Sequence, residues 1–221
     1  MVDLKYIGHS AFEFKTGETS ILVDPLVSVN PKYDYTKSNI TDIFITHAHS
    51  DHVGEAQEIA KAKKATITAV VEVANHLAEK KVKTRPVNFG CWLNYDWGRA
   101  LFLPAIHTSS FEDGTYGGVA ASILFDIEGV RIFHAGDTAL NPAFKTYKEI
   151  YRPSIALLPI GGTYTMDVEH AVVAADWLGA KTVIPMHYNT FPEIQADLNK
   201  FLQLMQVNTT NCCILNPDEI K

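Results

Sequence analysis

The sequence predicts an α/β (α+β) protein: a four-layer αββα sandwich in which two mixed β-sheets pack face to face, flanked by helices. Three observations predict it. Hairpin-linked apolar strands open the chain, strands alternate with amphipathic helices in both halves, and polar residues of metal-ligand type fall where strands stop.

The elements follow in order. "KYIGHSAFEF" and "TSILVDP" read as a hairpin around the turn "KTGE", and residues 31–40, "PKYDYTKSNI", read as a loop. The buried strand "DIFIT" runs into "HAHSDHVG", followed by helix "GEAQEIAKAKK", strand "ATITAVV" and helix "VANHLAEKK". From Pro86 to Val130 the chain is strand-rich, with "CWLNYDW", "ALFLPAI" and "AASILFDI". "RIFHAGDT" is a strand ending in a loop, "PAFKTYKEIY" is helical and "IALLPI" is a buried strand. "DVEHAVVAADWLGA" is an amphipathic helix with Asp167 as N-cap and Gly179 as stop. Strand "TVIPMH", helix "FPEIQADLNKFLQLM" and strand "CCIL" close the chain. No repeat or Pro/Ser-rich linker interrupts it, so residues 1–221 read as one domain.

Composition narrows the function classes. At 221 residues the chain can bury a substantial core, and 47% hydrophobic with 20% charged residues is ordinary for a globular protein. A net charge of −6 argues against a nucleic-acid surface. The lysine runs at 61–64 and 80–83 read as solvated helix ends. The start shows no basic-then-apolar signal region and no run is long enough to span a bilayer, so a cytoplasmic location without membrane insertion is expected. Three cysteines without C-x-x-C spacing read as reduced thiols.

The chemistry is concentrated at strand ends. "DIFIT" gives way to His47, "LFLPAI" to His107, "RIFHAG" to Asp137 and "TVIPM" to His187. Loops leaving one edge of a rigid sandwich can converge, so residues distant in sequence can share a site. In "HAHSDH" the i, i+2 spacing lets His47 and His49 point the same way, while Asp51 and His52 face a second position. Imidazole and carboxylate donors without thiolate suit a catalytic metal: zinc first, with manganese, iron or nickel as alternatives. Two divalent ions, two aspartates and one hydroxide leave a pocket charge of about +1, which favours a small anionic substrate and a hydrolytic reaction. His9 in "GHS" and His134 in "HAGDT" are read either as groups that orient substrate or protonate a leaving group, or as satisfied buried histidines. Ser109 in "HTSSF" and Thr165 in "GGTYTMD" are candidate substrate contacts. His76, His170, Trp92, Tyr95 and Trp97 read as packing or surface residues.

"THAHSDHVG" resembles the H-x-H-x-D-H signature of the metallo-β-lactamase superfamily, and "IHTSS", "HAGDT" and "PMHYNT" resemble its remaining metal motifs in their usual order. The likeness covers essentially the whole chain. It is strongest to short stand-alone metal-dependent hydrolases, and more distant to ascorbate-6-phosphate lactonases and phospholipase-D-type members. The resemblance implies the metallo-β-lactamase fold and a binuclear hydrolase. In it His47, His49 and His107 hold one metal, Asp51, His52 and His187 the second, and Asp137 bridges them. Apart from the resemblance, Asp51, Asp137 and His134 are the expected catalytic groups, while Asp24 matches the aspartate that the superfamily places at a strand end beneath the site and reads as a partner of a ligand histidine. Secreted β-lactamases, glyoxalase-II-type thioesterases and RNA-processing relatives fit less well, for want of an export signal, a long C-terminal region and an inserted domain. A redox enzyme on the same fold, either di-iron or persulfide dioxygenase-like, is an alternative that His49 and the full ligand set count against. A non-catalytic metal-binding protein is another. A homo-oligomer is compatible with the sequence.

Overall fold

The computed structural model describes residues 1–206, 210–217 and 219. Sheet one takes its strands in chain order: β1 (Val2–Gly8), β2 (Ala11–Thr16), β3 (Thr19–Val23), β4 (Ile40–Phe44), β5 (Thr66–Val70) and β6 (Lys83–Val87). β1 to β3 are antiparallel, and β3 to β6 run parallel. Sheet two repeats the pattern with β7 (Trp92–Tyr95), β8 (Gly98–Pro104), β9 (Ala121–Ile127), β10 (Val130–His134), β11 (Ile155–Pro159), β12 (Thr182–Met186) and β13 (Asn211–Cys212). It is antiparallel from β7 to β10 and parallel from β10 to β13. Parallel neighbours need crossovers, and helices supply them. The short α1 (Ser50–Val53) precedes α2 (Ala56–Lys63), which with α3 (Val71–Ala78) packs on sheet one. α5 (Val168–Leu178) lies on β11, α6 (Leu198–Met205) on β13, and α4 (Ala143–Tyr151) on α5. The chain has the expected four-layer arrangement.

An aromatic seam holds the sheets together. Phe14 meets Phe125 edge-on at 5.1 Å between ring centroids, and Phe44 meets the same ring at 5.0 Å. All three are fully buried, with Phe12 and Phe102 beside them. Burying each such ring contributes about 2–3 kcal/mol. Strand alternation places these rings between the sheets, while Phe133, one residue out of phase, packs on Phe144 of α4.

Several local readings are corrected. "KYIGHSAFEF" is two strands, because His9 turns the chain at φ 54°. β6, with Arg85 and Pro86 in it, carries no apolar alternation and escapes a pattern search. The segment "FPEIQADLNKFLQLM" is a single 3₁₀ turn, Pro192–Ile194, followed by α6, because Asp197 caps the helix by accepting the Lys200 N–H. In place of a strand over "CCIL" stands the two-residue β13, Asn211–Cys212, which pairs with β12. Residues 31–39 are a loop carrying one 3₁₀ turn, Tyr35–Lys37, and Ile40, expected in that loop, opens β4. Trp97 is buried and stacks on Tyr95 at 4.6 Å, the packing role expected of both.

Candidate metal centre

The centre is built from the end of β3 outward. Asp24 follows that strand with φ 45°, a left-handed conformation that few non-glycine residues adopt. Its buried carboxylate accepts the Thr46 N–H at 2.8 Å, the Thr46 hydroxyl at 2.7 Å and His52 Nδ1 at 2.8 Å. The Thr46 oxygen in turn lies 3.0 Å from His47 Nδ1, which donates to it. Both rings therefore carry their proton on Nδ1 and present Nε2 to the interior, the orientation a metal ligand needs. Gly54 ends the short α1 at φ 43°, and a Cβ there would lie 2.7 Å from Leu26 Cα, so this turn packs directly on the segment after Asp24.

Residues from both sheets then converge. His47 Nε2 and His49 Nδ1 are 3.0 Å apart, and the His107 ring lies 5.0 and 5.1 Å from those of His47 and His49. His52 Nε2 is 3.2 Å from Asp137 Oδ1, and His187 Nε2 is 3.0 Å from Asp137 Oδ2. Asp51 Oδ2 lies 3.7 Å from His52 Nε2 and 3.6 Å from His187 Nε2. His47, His49 and His107 form one group able to hold a cation, His9, Asp51, His52 and His187 a second, and His47, His52 and Asp137 a third that joins them. His52 Nε2, Asp137 Oδ1 and both ring nitrogens of His187 are buried without a hydrogen-bond partner among the described residues. Orphaned buried polar atoms are costly, and three of these atoms face one another at the centre of an oxygen and nitrogen donor set. These residues fit a pair of divalent cations.

The electrostatics agree with that fit. Burial lowers the pKa of His47, His49 and His107, which leaves their lone pairs free at neutral pH. Burial would also lower His52 and His187, but Asp137, joined at His52 by Asp24, outweighs it: His52 is raised well above its usual value and His187 to about 9, so each holds beside Asp137 a second proton that a bound cation would displace. Burial would raise Asp137, yet His52 and His187 hold it well below the carboxylate range. Asp51 is likewise held low, His187 and His9 overcoming its burial. Both carboxylates are ionised and attract cations.

The remaining candidates divide. His9 is buried; its Nε2 donates to Asp51 Oδ2 at 3.0 Å, and its Nδ1 is 3.1 Å from the Thr190 hydroxyl. It steadies Asp51. His134 is corrected: it is fully buried, Nε2 donates to the Ser10 carbonyl at 2.9 Å and Nδ1 accepts the Gly136 N–H at 3.1 Å. With both nitrogens committed to backbone, it braces the loop before Asp137 and does not face the pocket. Ser109 is also buried, accepting the Ala48 N–H at 3.1 Å and donating to the Gly117 carbonyl at 3.0 Å, so it fixes the metal loop and not a substrate. Thr165 bonds within its own loop, to the Met166 carbonyl at 3.3 Å. Its neighbour Tyr164 instead lines the cavity of about 250 Å³ over the centre, with Thr108 opposite. Tyr164, Thr108 and Thr46 carry no motif, and only their positions beside ligands or in the glycine loop could have marked them. His76 stacks on Phe111 and His170 pairs with Asp167, both away from the centre.

A beta-lactamase superfamily domain matches residues 3–187. Relatives described as "UPF0173 metal-dependent hydrolase" from Bacillus cereus and Bacillus anthracis are each 41% identical over 210 residues, covering 92% of this chain and 92% of theirs. The chain belongs to the UPF0173 metal-dependent hydrolases of the beta-lactamase superfamily. Among solved structures, the metallo hydrolase Igni18 from Ignicoccus hospitalis is 34% identical with a TM-score of 0.91, covering 100% of this chain and 97% of that one. The metallo-beta-lactamase fold protein YhfI from Bacillus subtilis, 14% identical, shares the fold with a TM-score of 0.78 over 100% of this chain and 98% of its own. As a UPF0173 member the chain is a metal-dependent hydrolase. Among the described residues no helix is long and apolar enough to cross a membrane.

Proposed function

We propose that this hydrolase cleaves a small ester, lactone, amide or phosphodiester with water activated at a pair of divalent cations, zinc first among manganese, iron and nickel. The observation that carries this reading is the set of orphaned atoms, His52 Nε2, His187 Nε2 and Asp137 Oδ1, buried at the meeting point of the histidine groups. His47, His49 and His107 would hold one cation, Asp51, His52 and His187 the other, with Asp137 shared between them. Bound there, the cations would lower the pKa of a water towards about 7 and offset charge developing on the substrate. Asp24 and Thr46 keep His47 and His52 in the ligating tautomer. Asp51, the more exposed carboxylate, is placed by His9 to pass the proton of water towards the leaving group. The likeness to lactonases and phospholipase-D-type hydrolases keeps both lactones and phosphodiesters among the substrates to be tried.

The test is a screen of zinc- or manganese-loaded protein against ester, lactone, amide and phosphodiester panels, with Asp51→Ala and His107→Ala as controls. Turnover of one class is expected, lost in both variants while circular dichroism stays that of the parent. Turnover retained in both variants would overturn the assignment.

A further inference from the structure

The loop between β11 and α5 is held far more firmly than a surface loop requires. The Gly162 N–H donates to the Met166 carbonyl at 3.0 Å, and the Met166 N–H to the Thr138 carbonyl, beside Asp137, at 3.2 Å. The Thr163 hydroxyl donates to the Glu193 carbonyl at 2.7 Å, and Thr163 takes φ 51°. Gly161 leaves no room for a Cβ against the His187 carbonyl. The loop is thus fastened to the two segments that carry Asp137 and His187. What it presents is Tyr164, 57% exposed, which lines the cavity and whose hydroxyl has no hydrogen-bond partner among the described residues. Anchored backbone with an unengaged donor over a reacting centre is preorganisation, and it is worth most where charge appears only in the transition state.

The rest of the wall says what that charge sits on. Among the described residues, the cavity is lined beyond the ligands by Thr108 and Tyr164, with no Lys or Arg, and Ile106, beside His107, is 50% exposed. A phosphodiester is anionic before it reacts and is commonly gripped by guanidinium or ammonium groups. A carbonyl oxygen is neutral until attacked, and a single neutral donor suits it. Pocket charge alone suggests an anionic substrate; the lining favours a neutral carbonyl compound.

Building on the hydrolase reading, we infer that Tyr164 is a catalytic residue whose hydroxyl donates to the carbonyl oxygen of a small neutral carboxylic ester or lactone. The oxygen of water bonds to the acyl carbon, and the carbonyl π pair moves onto the oxygen beside Tyr164. Collapse breaks the acyl C–O bond, and the leaving alkoxide takes the proton that water gave up. An acid and an alcohol result, or a hydroxy acid from a lactone.

The experiment uses the zinc-loaded full chain with a p-nitrophenyl carboxylic ester, a γ-lactone and bis(p-nitrophenyl) phosphate. The ester and lactone are expected to have the higher kcat/KM. Tyr164→Phe lowers kcat on them by about 10- to 100-fold with KM within about threefold, and weakens inhibition by a tetrahedral phosphonate by a similar factor. Its zinc content and melting temperature match the parent. A Phe variant within twofold of the parent in kcat, or a parent that prefers the phosphodiester, overturns the inference while the hydrolase reading stands. A parent that holds its zinc and turns over none of these or the wider panels defeats both.

Discussion

Replacing Asp24 by asparagine tests whether the support beneath the centre sets its metal affinity. In the parent, one carboxylate oxygen accepts the Thr46 N–H and the other accepts both the Thr46 hydroxyl and His52 Nδ1–H. An amide has a single acceptor. If its oxygen serves the Thr46 N–H, its NH₂ confronts His52 Nδ1–H, and the ring can relieve the clash only by moving its proton to Nε2, the atom the metal needs. If the amide is reversed, the NH₂ confronts the buried Thr46 N–H, leaving a desolvated donor at a cost of about 1–3 kcal/mol. Loss of such an outer partner weakens metal binding by about 10- to 100-fold, or ~1.4–2.8 kcal/mol. Under the proposed two-cation arrangement, the loss should be larger at the cation that Asp51, His52 and His187 would hold than at the one that His47 would hold, since His47 Nδ1 leans on Thr46 instead. Metal retained after dialysis against graded chelator, read by elemental analysis, gives both affinities. Two cations held as tightly as in the parent, in a variant of unchanged fold, would refute the tautomer argument.

Two further outcomes are expected. Gly54→Ala must place a Cβ against Leu26 at a backbone angle of φ 43°, so overpacking and strain together should cost about 3 kcal/mol and lower the calorimetric Tm by about 6–12 °C; an unchanged Tm would show that the turn relaxes freely. Burial lowers the pKa of His134, so the unfolded chain binds more protons below about pH 6.5. The stability His134 contributes is then complete above that pH and is lost as pH falls towards its folded value, with a slope of up to about 1.4 kcal/mol per pH unit. Urea titrations between pH 7.5 and 5.5 should show a shallower acid loss in His134→Gln than in the parent, and equal slopes would count against a neutral buried imidazole.

How much of this was legible in the sequence depends on the range over which each residue is determined. His47, His49, Asp51 and His52 announce themselves because a short run of chain must place four ligands, and composition alone exposes that. His107, Asp137 and His187 were legible because each ends an apolar strand. For His134 the sequence leaves open a pocket role, from its nearness to Asp137, and a buried one; alternation decides for the second, since it shares a face of β10 with Ile132 and its ring meets Phe12 edge-on at 5.7 Å between the sheets. Tyr164 left no trace, because an exposed aromatic in an irregular loop has neither period nor pairing. The break before α6 was hidden by apolar spacing that runs through Phe191 and Ile194 in register with the helix, while the Asp197 cap that decides it is one polar residue among several.

The placement of the ligands follows from the two-sheet architecture. His47, His49, Asp51 and His52 leave the end of β4 in sheet one, whereas His107, Asp137 and His187 follow β8, β10 and β12 of sheet two. Each group of converging donors draws on both sheets, and His9, in the β1–β2 turn, accepts the His187 N–H at its carbonyl while its ring holds Asp51. Neither half of the chain can therefore assemble the centre alone. The aromatic seam holds the two sheets in place, and a packed frame of this kind allows left-handed backbone at His9, Asp24 and His187, a conformation costing about 1–3 kcal/mol at each, to persist beside the centre. The core of this hydrolase is thus a condition of its chemistry as well as of its stability, since a shift between the sheets would part all three groups of converging donors at once.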